Sequence, residues 1–351
     1  MKNGKFGFGI IGCGVISPWH AKGIEVSDKA ELVAVCDIVP KRVKKICEDH
    51  ANKPTPYSDY RDLVADPRVD IVCVCTPSGN HGEIAIAAAQ AGKHILCEKP
   101  LEIKLDKIDR MIQAAENNKV KLGCVFQRRT YESSRKVREA VQSGKLGKMV
   151  LGDAYLKYYR SQAYYDSGDW RGTWELDGGG ALMNQGIHGI DLLLWVMGDV
   201  DTVYARTRTM VRNIEVEDTA TAMLQYKNGA MGIVEATTSV NPGEPTRLEF
   251  NGKLGSIIYE ESRVRKWAIA QGEDERAEEI ELESEEEQIG GVADPKDIGF
   301  AGHIKHIADI IDAVENDRDP LVTAESARKP VELILAMYES SRQNKEIKLP
   351  L

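Results

Sequence analysis

The sequence predicts an α/β plus α+β fold in two domains. Residues 1–125 form a doubly wound parallel sheet, and residues 126–351 are built on a large, mostly antiparallel open sheet. Three observations predict it. The first 125 residues alternate short apolar runs with helical periodicity, the pattern of strand–helix–strand units. From about residue 126 the texture changes to longer stretches with period-two alternation. A chain of 351 residues is also about two domains long.

In the first domain the apolar runs at 6–11, 32–36, 71–75, 94–97 and 120–125 read as buried strands. Helical periodicity is clearest over Glu83–Ala91 and Leu105–Asn117. Such sheets bind ligands outside the carboxyl ends of their strands. Those ends carry Gly12, Asp37, Thr76-Pro77-Ser78 and Glu98-Lys99-Pro100, all expected along one crevice. The first strand leads into Gly12-Cys13-Gly14-Val15-Ile16-Ser17 and then a helix. Strand, glycine turn and helix N-terminus together make an anion site, because the first-turn N–H groups and the helix dipole favour a pyrophosphate. Gly12 permits the tight turn, Gly14 lets the backbone approach the phosphates, and Ser17 is small enough for close helix–strand packing. Asp37 ends the second strand 20 residues past Ser17, where an acid accepts hydrogen bonds from the adenosine ribose and repels a 2′-phosphate. The expected cofactor is therefore NAD, with NADP disfavoured.

In the second domain a helical Ser133–Ser143 precedes strand-like stretches at 149–159, 202–211, 219–226, 230–238, 246–250, 254–259 and 263–270. Glu273–Glu287 holds ten acidic residues and one Arg, and Glu279–Glu283 alternates like an exposed edge strand. Charge on an edge discourages sheet-to-sheet aggregation, so the run reads as a solvated face. Helices at His303–Glu315 and Ala324–Ser341 close the chain.

Composition narrows the function. The net charge of −9 argues against nucleic acid as a partner. No run of about 18 apolar residues predicts a membrane span, and the N-terminus lacks a signal-peptide apolar region. All seven cysteines fall in the first 124 residues, mostly in apolar runs, which fits buried small side chains in a reducing cytoplasm. With no second Cys pair and no His cluster, no metal is expected.

Three constellations carry chemistry. The first is Glu98-Lys99-Pro100: a lysine at a strand end, partly desolvated beside a cationic nicotinamide, suits proton transfer to a carbinol oxygen. The bland alternative is a surface lysine before a loop proline. The second follows Gly178-Gly179-Gly180. Asn184, His188 and Asp191 stand at i, i+4 and i+7, sharing a helical face. His188 is a natural base, Asn184 positions by hydrogen bonding, and Asp191 orients His188 or holds the helix to its neighbour. The third is Tyr155–Trp174, which holds seven of the chain's 22 aromatics, among them Tyr158 and Trp170, interleaved with Arg160 and Arg171. Such faces and forks suit sugar rings, or alternatively a subunit interface. Arg128, Arg129, Arg160 and Arg171 leave room for a phosphate or uronate group.

Taken together, GIIGCGVIS, CDIVPKR, CTPSGNH, CEKP, GGGALMNQGIHGIDLLLW and PLVTAESARKPVELILAMYESSR resemble the Gfo/Idh/MocA family, which includes glucose–fructose oxidoreductases and inositol dehydrogenases. The resemblance implies an N-terminal Rossmann domain, and a C-terminal sheet that supports a homodimer or homotetramer. Lys99 and His188 match the catalytic pair. Gly12, Gly14, Val15, Ile16, Asp37, Thr76, Pro77, His81, Glu98, Lys99 and Gln127 match cofactor contacts. Asn184, Arg171, Trp170, Tyr158, Gln127 and Asp191 fall where substrate binds. Many members carry Asp four residues before the histidine; Asn184 here leaves the acid–base work to Lys99 and His188. Asn at this position is similar to a branch acting on sugars or UDP-linked N-acetylated sugar acids. The expected activity is NAD-dependent oxidation of a ring hydroxyl. The alternatives are a glycosidase that uses NAD transiently and a non-catalytic dinucleotide sensor.

Overall fold

The computed structural model describes residues 4–50, 52–270, 272, 275–279 and 299–351. In chain order the first elements are β1 (Phe6–Ile11), α1 (Ser17–Glu25), β2 (Ala30–Cys36), α2 (Pro40–Asp49), β3 (Thr55–Tyr57), α3 (Tyr60–Ala65), β4 (Ile71–Val74), α4 (His81–Gln90), β5 (His94–Cys97), α5 (Leu105–Asn117) and β6 (Leu122–Cys124). There follow α6 (Glu132–Gln142), β7 (Met149–Lys157), α7 (Gln162–Tyr165), α8 (Ile187–Met197), β8 (Val200–Arg208), β9 (Thr219–Tyr226), β10 (Met231–Thr237), β11 (Arg247–Gly252), β12 (Gly255–Glu260), β13 (Arg263–Ile269) and β14 (Glu278–Glu279). The chain closes with α9 (Ala301–Glu315), α10 (Ala324–Gln343) and β15 (Ile347–Lys348).

The chain divides into two compact units: Met1–Gln127 with Phe300–Arg328, and Arg128–Gly299 with Lys329–Leu351. The sequence reading kept everything after residue 125 in one domain. The difference lies in α9, which packs on α1 and adds Ile307, Ile310 and Ile311 to the core of the first unit.

The first unit is a six-stranded sheet in the order β3-β2-β1-β4-β5-β6, with every pair parallel. Its central strands are apolar on both faces: β1 and β4 are buried at every position, as expected of a sheet covered by helices on both sides. The order reverses at β1/β4, so the loops after these two strands flank the crevice where such folds bind ligands. The strand β3 is absent from the sequence reading. It has three residues with Pro56 at its centre, a residue that strands tolerate at an edge.

The second unit is a nine-stranded sheet in the order β14-β13-β12-β11-β7-β10-β9-β8-β15. The β7–β10 pair is parallel and the others are antiparallel. Along β9 and β10 the burial alternates, so one face packs on the core while Met223 and Met231 stand exposed on the other. The helix α8 packs on β7, with Gly189 set against Leu156 where any Cβ would collide. The strand β8 ends at Arg208 rather than 211, because the N–H groups of Met210, Val211 and Arg212 turn to the Asp218 carboxylate at 2.7–2.9 Å. Of the acidic run, Glu278–Glu279 pair with β13 as an edge strand, whereas the expected strand core from Ile280 to Glu283 lies outside the described residues. No helix among the described residues is long and apolar enough to cross a membrane.

Candidate active site

In the first unit the glycine turn is shaped for a close ligand. Gly12 has φ +93°, and a Cβ there would lie 2.6 Å from the Cys75 carbonyl carbon, so only glycine fits. A Cβ on Gly14 would meet nothing within 4 Å, which leaves its backbone open to approach. The Ser17 hydroxyl donates to the Gly14 carbonyl at 2.9 Å, and α1 begins with no side-chain cap. An uncapped helix N-terminus at the end of β1 has the arrangement an anion site needs.

Asp37 is buried where it ends β2. Its Oδ2 accepts from the Cys13 N–H at 2.8 Å and its Oδ1 from the Val39 N–H at 2.8 Å. The same carboxylate therefore braces the glycine turn and faces the strand end. Val15 and Ile38 are exposed beside it at 51% and 88%, apolar surface suited to a flat base. Thr76, after β4, keeps its buried Oγ1 without a hydrogen-bond partner among the described residues. The glycine cradle, uncapped helix, oriented acid and orphaned hydroxyl fit a dinucleotide. Bound NAD would supply a two-electron hydride acceptor there, and Gly12, Gly14, Val15, Ile16, Asp37, Thr76 and Pro77 are the residues that would hold it.

His81 and Glu98 serve differently from their expected cofactor contacts. Both His81 ring nitrogens lie 2.9 Å from backbone carbonyls, Nδ1 at Pro100 and Nε2 at Thr76, so the ring clamps two loops. Glu98 is buried, and its carboxylate turns inward to His20 and His303. Lys99 is half-buried and precedes a cis proline, Pro100. Gln127 is buried against Gly302 of α9.

In the second unit the triple-glycine loop docks on a buried acid. Glu217 accepts from the N–H groups of Gly180 (3.1 Å) and Leu182 (2.8 Å) and from the Tyr338 hydroxyl (3.0 Å). Burial pushes its carboxyl up to about 7. A Cβ on Gly179 would run into that tyrosine hydroxyl. A π-helical turn, Ala181–Gly186, leads into α8. Because Asn184 lies in this wider turn, the even helical spacing of Asn184, His188 and Asp191 does not hold.

Asn184 Nδ2 donates to Asp177, whose other oxygen takes the Gly172 N–H at 2.8 Å. Gln185 bridges onward, donating to Asn184 Oδ1 at 2.7 Å and to the Tyr164 hydroxyl at 2.9 Å, while Arg160 Nε donates to Gln185 Oε1 at 3.1 Å. Arg171 donates to the Tyr164 hydroxyl at 2.6 Å, and its guanidinium stacks over Tyr164 (4.4 Å) and Trp170 (4.6 Å). His188 is half-buried on α8.

Two expected substrate contacts are structural. Asp191 is fully buried in a bidentate pair with Arg129 at 2.9 and 2.5 Å, which ties α8 down. Tyr158 is buried, with its hydroxyl 2.8 Å from Thr246. Arg128 is likewise engaged, by Thr246 at 2.9 Å and Glu261 at 3.1 Å. This removes Arg128 and Arg129 from the basic residues open to a ligand. Asp177, Gln185, Glu217 and Tyr338 were missed by sequence reasoning. Their roles come from partners distant in the chain, and only the glycines of the loop signalled a close approach.

Residues 6–126 match the model of the oxidoreductase family with an NAD-binding Rossmann fold, and residues 134–258 match the GFO/IDH/MocA C-terminal domain. Myo-inositol 2-dehydrogenase of Thermotoga maritima is 31% identical over 269 residues, 73% of this chain and 75% of that protein. Levoglucosan dehydrogenase of Pseudarthrobacter phenanthrenivorans is 27% identical over 243 residues, 62% of each chain. The WlbA dehydrogenase from Bordetella pertussis, solved in complex with NADH and UDP-GlcNAcA, superposes with a TM-score of 0.87 at 32% identity over 99% of both chains. An NAD-shaped Rossmann unit, an open-sheet second unit and these matches agree, and the chain belongs to the Gfo/Idh/MocA family of NAD-binding oxidoreductases.

Proposed function

We propose that the protein oxidises a ring hydroxyl of a sugar, cyclitol or sugar derivative, with hydride passing from the ring carbon to NAD. The observation that carries this reading is Lys99 on a braced strand end, in the same unit as the glycine turn and Asp37. As the hydride leaves the carbon, the hydroxyl proton passes to His188 or Lys99, and the other group holds the oxygen. Asn184, Trp170 and Arg171 orient the ring, and Asn184 is itself oriented by Asp177. Holding the reacting atoms within about 3–3.5 Å supplies much of the rate.

A second reading, a UDP-linked N-acetylated sugar acid as substrate, has support of its own. The WlbA relative was solved with UDP-GlcNAcA. Arg171, stacked on two aromatic rings, has no carboxylate partner among the described residues, so its charge is available to an acidic group. An NADH-absorbance screen over inositols, neutral sugars, uronates and UDP-sugars, run with wild type and Lys99→Met, tests both. Lys99→Met should lose at least about a hundredfold in kcat and still bind NAD; wild-type turnover in that variant removes Lys99 from the chemistry. Turnover confined to acidic substrates selects the second reading.

We further propose that the chain self-associates through the exposed sheet face that carries Leu151, Met223 and Met231, where Met231 pairs with Leu151. Contiguous apolar surface on an open sheet marks an interface. Met231→Lys should shift the protein to a smaller species in size-exclusion chromatography with light scattering; an unchanged mass refutes the assignment.

A further inference from the structure

The first unit buries a polar cluster that hydride transfer does not itself require. His20 on α1 is 0% exposed, His303 on α9 is 2% exposed and Glu98, at the end of β5, is 6% exposed. Glu98 Oε1 lies 2.8 Å from His20 Nε2 and 3.1 Å from His303 Nε2, and the two imidazoles meet edge to face at 5.2 Å. The other oxygen, Oε2, accepts the backbone N–H of Lys99 at 3.2 Å. One carboxylate thus joins the helix that follows the glycine turn, the closing helix α9 and the main chain of the lysine. Replacing a buried ionic cluster by apolar residues of like volume is often neutral or stabilising, so stability alone does not account for such a site.

The trio also has the composition of a metal site. The ring nitrogens decide against one. With Nε2 on a metal, each Nδ1 would carry a proton, and metal-bound histidines give that proton to an acceptor. The Nδ1 of His303 is buried with no hydrogen-bond partner among the described residues, while the His20 ring meets Cys75 as well as Glu98. With Nε2–H donated to Glu98 instead, Nδ1 of His303 is a bare lone pair and no N–H of that ring is stranded. Burial alone would raise the Glu98 carboxyl, but the two imidazole donors bring it well below the usual range. Burial lowers His303 and His306; it opposes charge on His20 as well, but Cys75 and the Glu98 carboxylate push that ring up to about 10.

We propose that His20 and His303 are positioning residues, which hold the Glu98 carboxylate so that it fixes the backbone of Lys99. The inference rests on the assignment of Lys99 above, but its first readout does not. The test compares His303→Leu, which removes the donor, with His303→Gln, which restores an N–H donor of similar reach. Amide hydrogen exchange at Lys99, measured on the full chain without substrate, should be slow in wild type and His303→Gln and at least about tenfold faster in His303→Leu. In turnover, His303→Leu should lose about a hundredfold in kcat, the scale of a 1 Å misplacement. Its NAD affinity should stay within about twofold, the pH profile of kcat should move, and His303→Gln should recover most of the loss.

The groups facing the carboxylate, and hence able to enter that profile, are His20, Cys73, Cys75, Cys97, Lys99, His303 and His306. Unchanged Lys99 exchange in His303→Leu overturns the proposal. So does equal impairment of both variants that follows Tm alone, or one equivalent of bound metal lost on substitution. Altered exchange with no turnover of any polyol condemns the proposed activity and leaves the positioning intact.

Discussion

Glu217 is a carboxylate whose environment is set entirely by residues remote from it in sequence. Two backbone N–H groups of the glycine loop and the Tyr338 hydroxyl meet it, and burial pushes it up to about 7 from an ordinary 4.5. An acid raised on folding favours the folded state while protonated. Its contribution is complete below about pH 4.5, declines as pH rises to about 7, and is constant above that. A shift of this size corresponds to about 3 kcal/mol. Gln at 217 is neutral at every pH, so whatever constant it loses where the Gly180 N–H meets its amide, it carries none of this pH dependence. The difference in unfolding free energy between wild type and Glu217→Gln, from urea titrations at pH 4.5 and 8, should therefore change by about 3 kcal/mol in favour of the variant at the higher pH. Parallel pH curves would refute the assignment. None of this is legible in the sequence, where Glu217 is one acid among many. The same holds for Asp191, which reads as a helical neighbour of His188 until Arg129 is seen to take both its oxygens, 62 residues away in the chain.

At the scale of elements, legibility follows locality. The unit β1–turn–α1 is legible because its apolar run and its glycines are local signals with one geometric meaning. The strands of the large sheet were readable for the same reason: β9 and β10 alternate burial residue by residue. The misses fall where local preference is overruled. The strand β3 is too short for a periodic signal. The strand β8 stops early because Asp218 draws off three N–H groups. The π-helical turn before α8 has no compositional mark. It forms where the loop must dock on Glu217 and Tyr338 while α8 is held by Arg129, and it displaces Asn184 from the face predicted for it.

For the molecule as a whole, family and cofactor were within reach of the sequence, but the division of the chain was not. Residues 300–328 join the first unit because α9 packs on α1, a contact between segments nearly 300 residues apart. His303 therefore lies in the same unit as Glu98, and chain order gives no hint of it. The cofactor should stabilise this discontinuous unit as one body. At a hundred times its Kd, a ligand of the native state adds about 2.7 kcal/mol. With NAD, hydrogen exchange should slow by that amount in β1, β4 and α9 alike, although α9 is remote in sequence from the glycine turn. NADP at the same concentration should protect far less, because the buried Asp37 carboxylate at the end of β2 repels a 2′-phosphate. Asp37→Asn, which keeps an oxygen acceptor for the Cys13 N–H and removes the charge, should bring the two cofactors closer together. Equal protection of the wild type by NAD and NADP would refute the ribose assignment, and protection that omits α9 would show that the closing helix is not part of the cofactor-bound body.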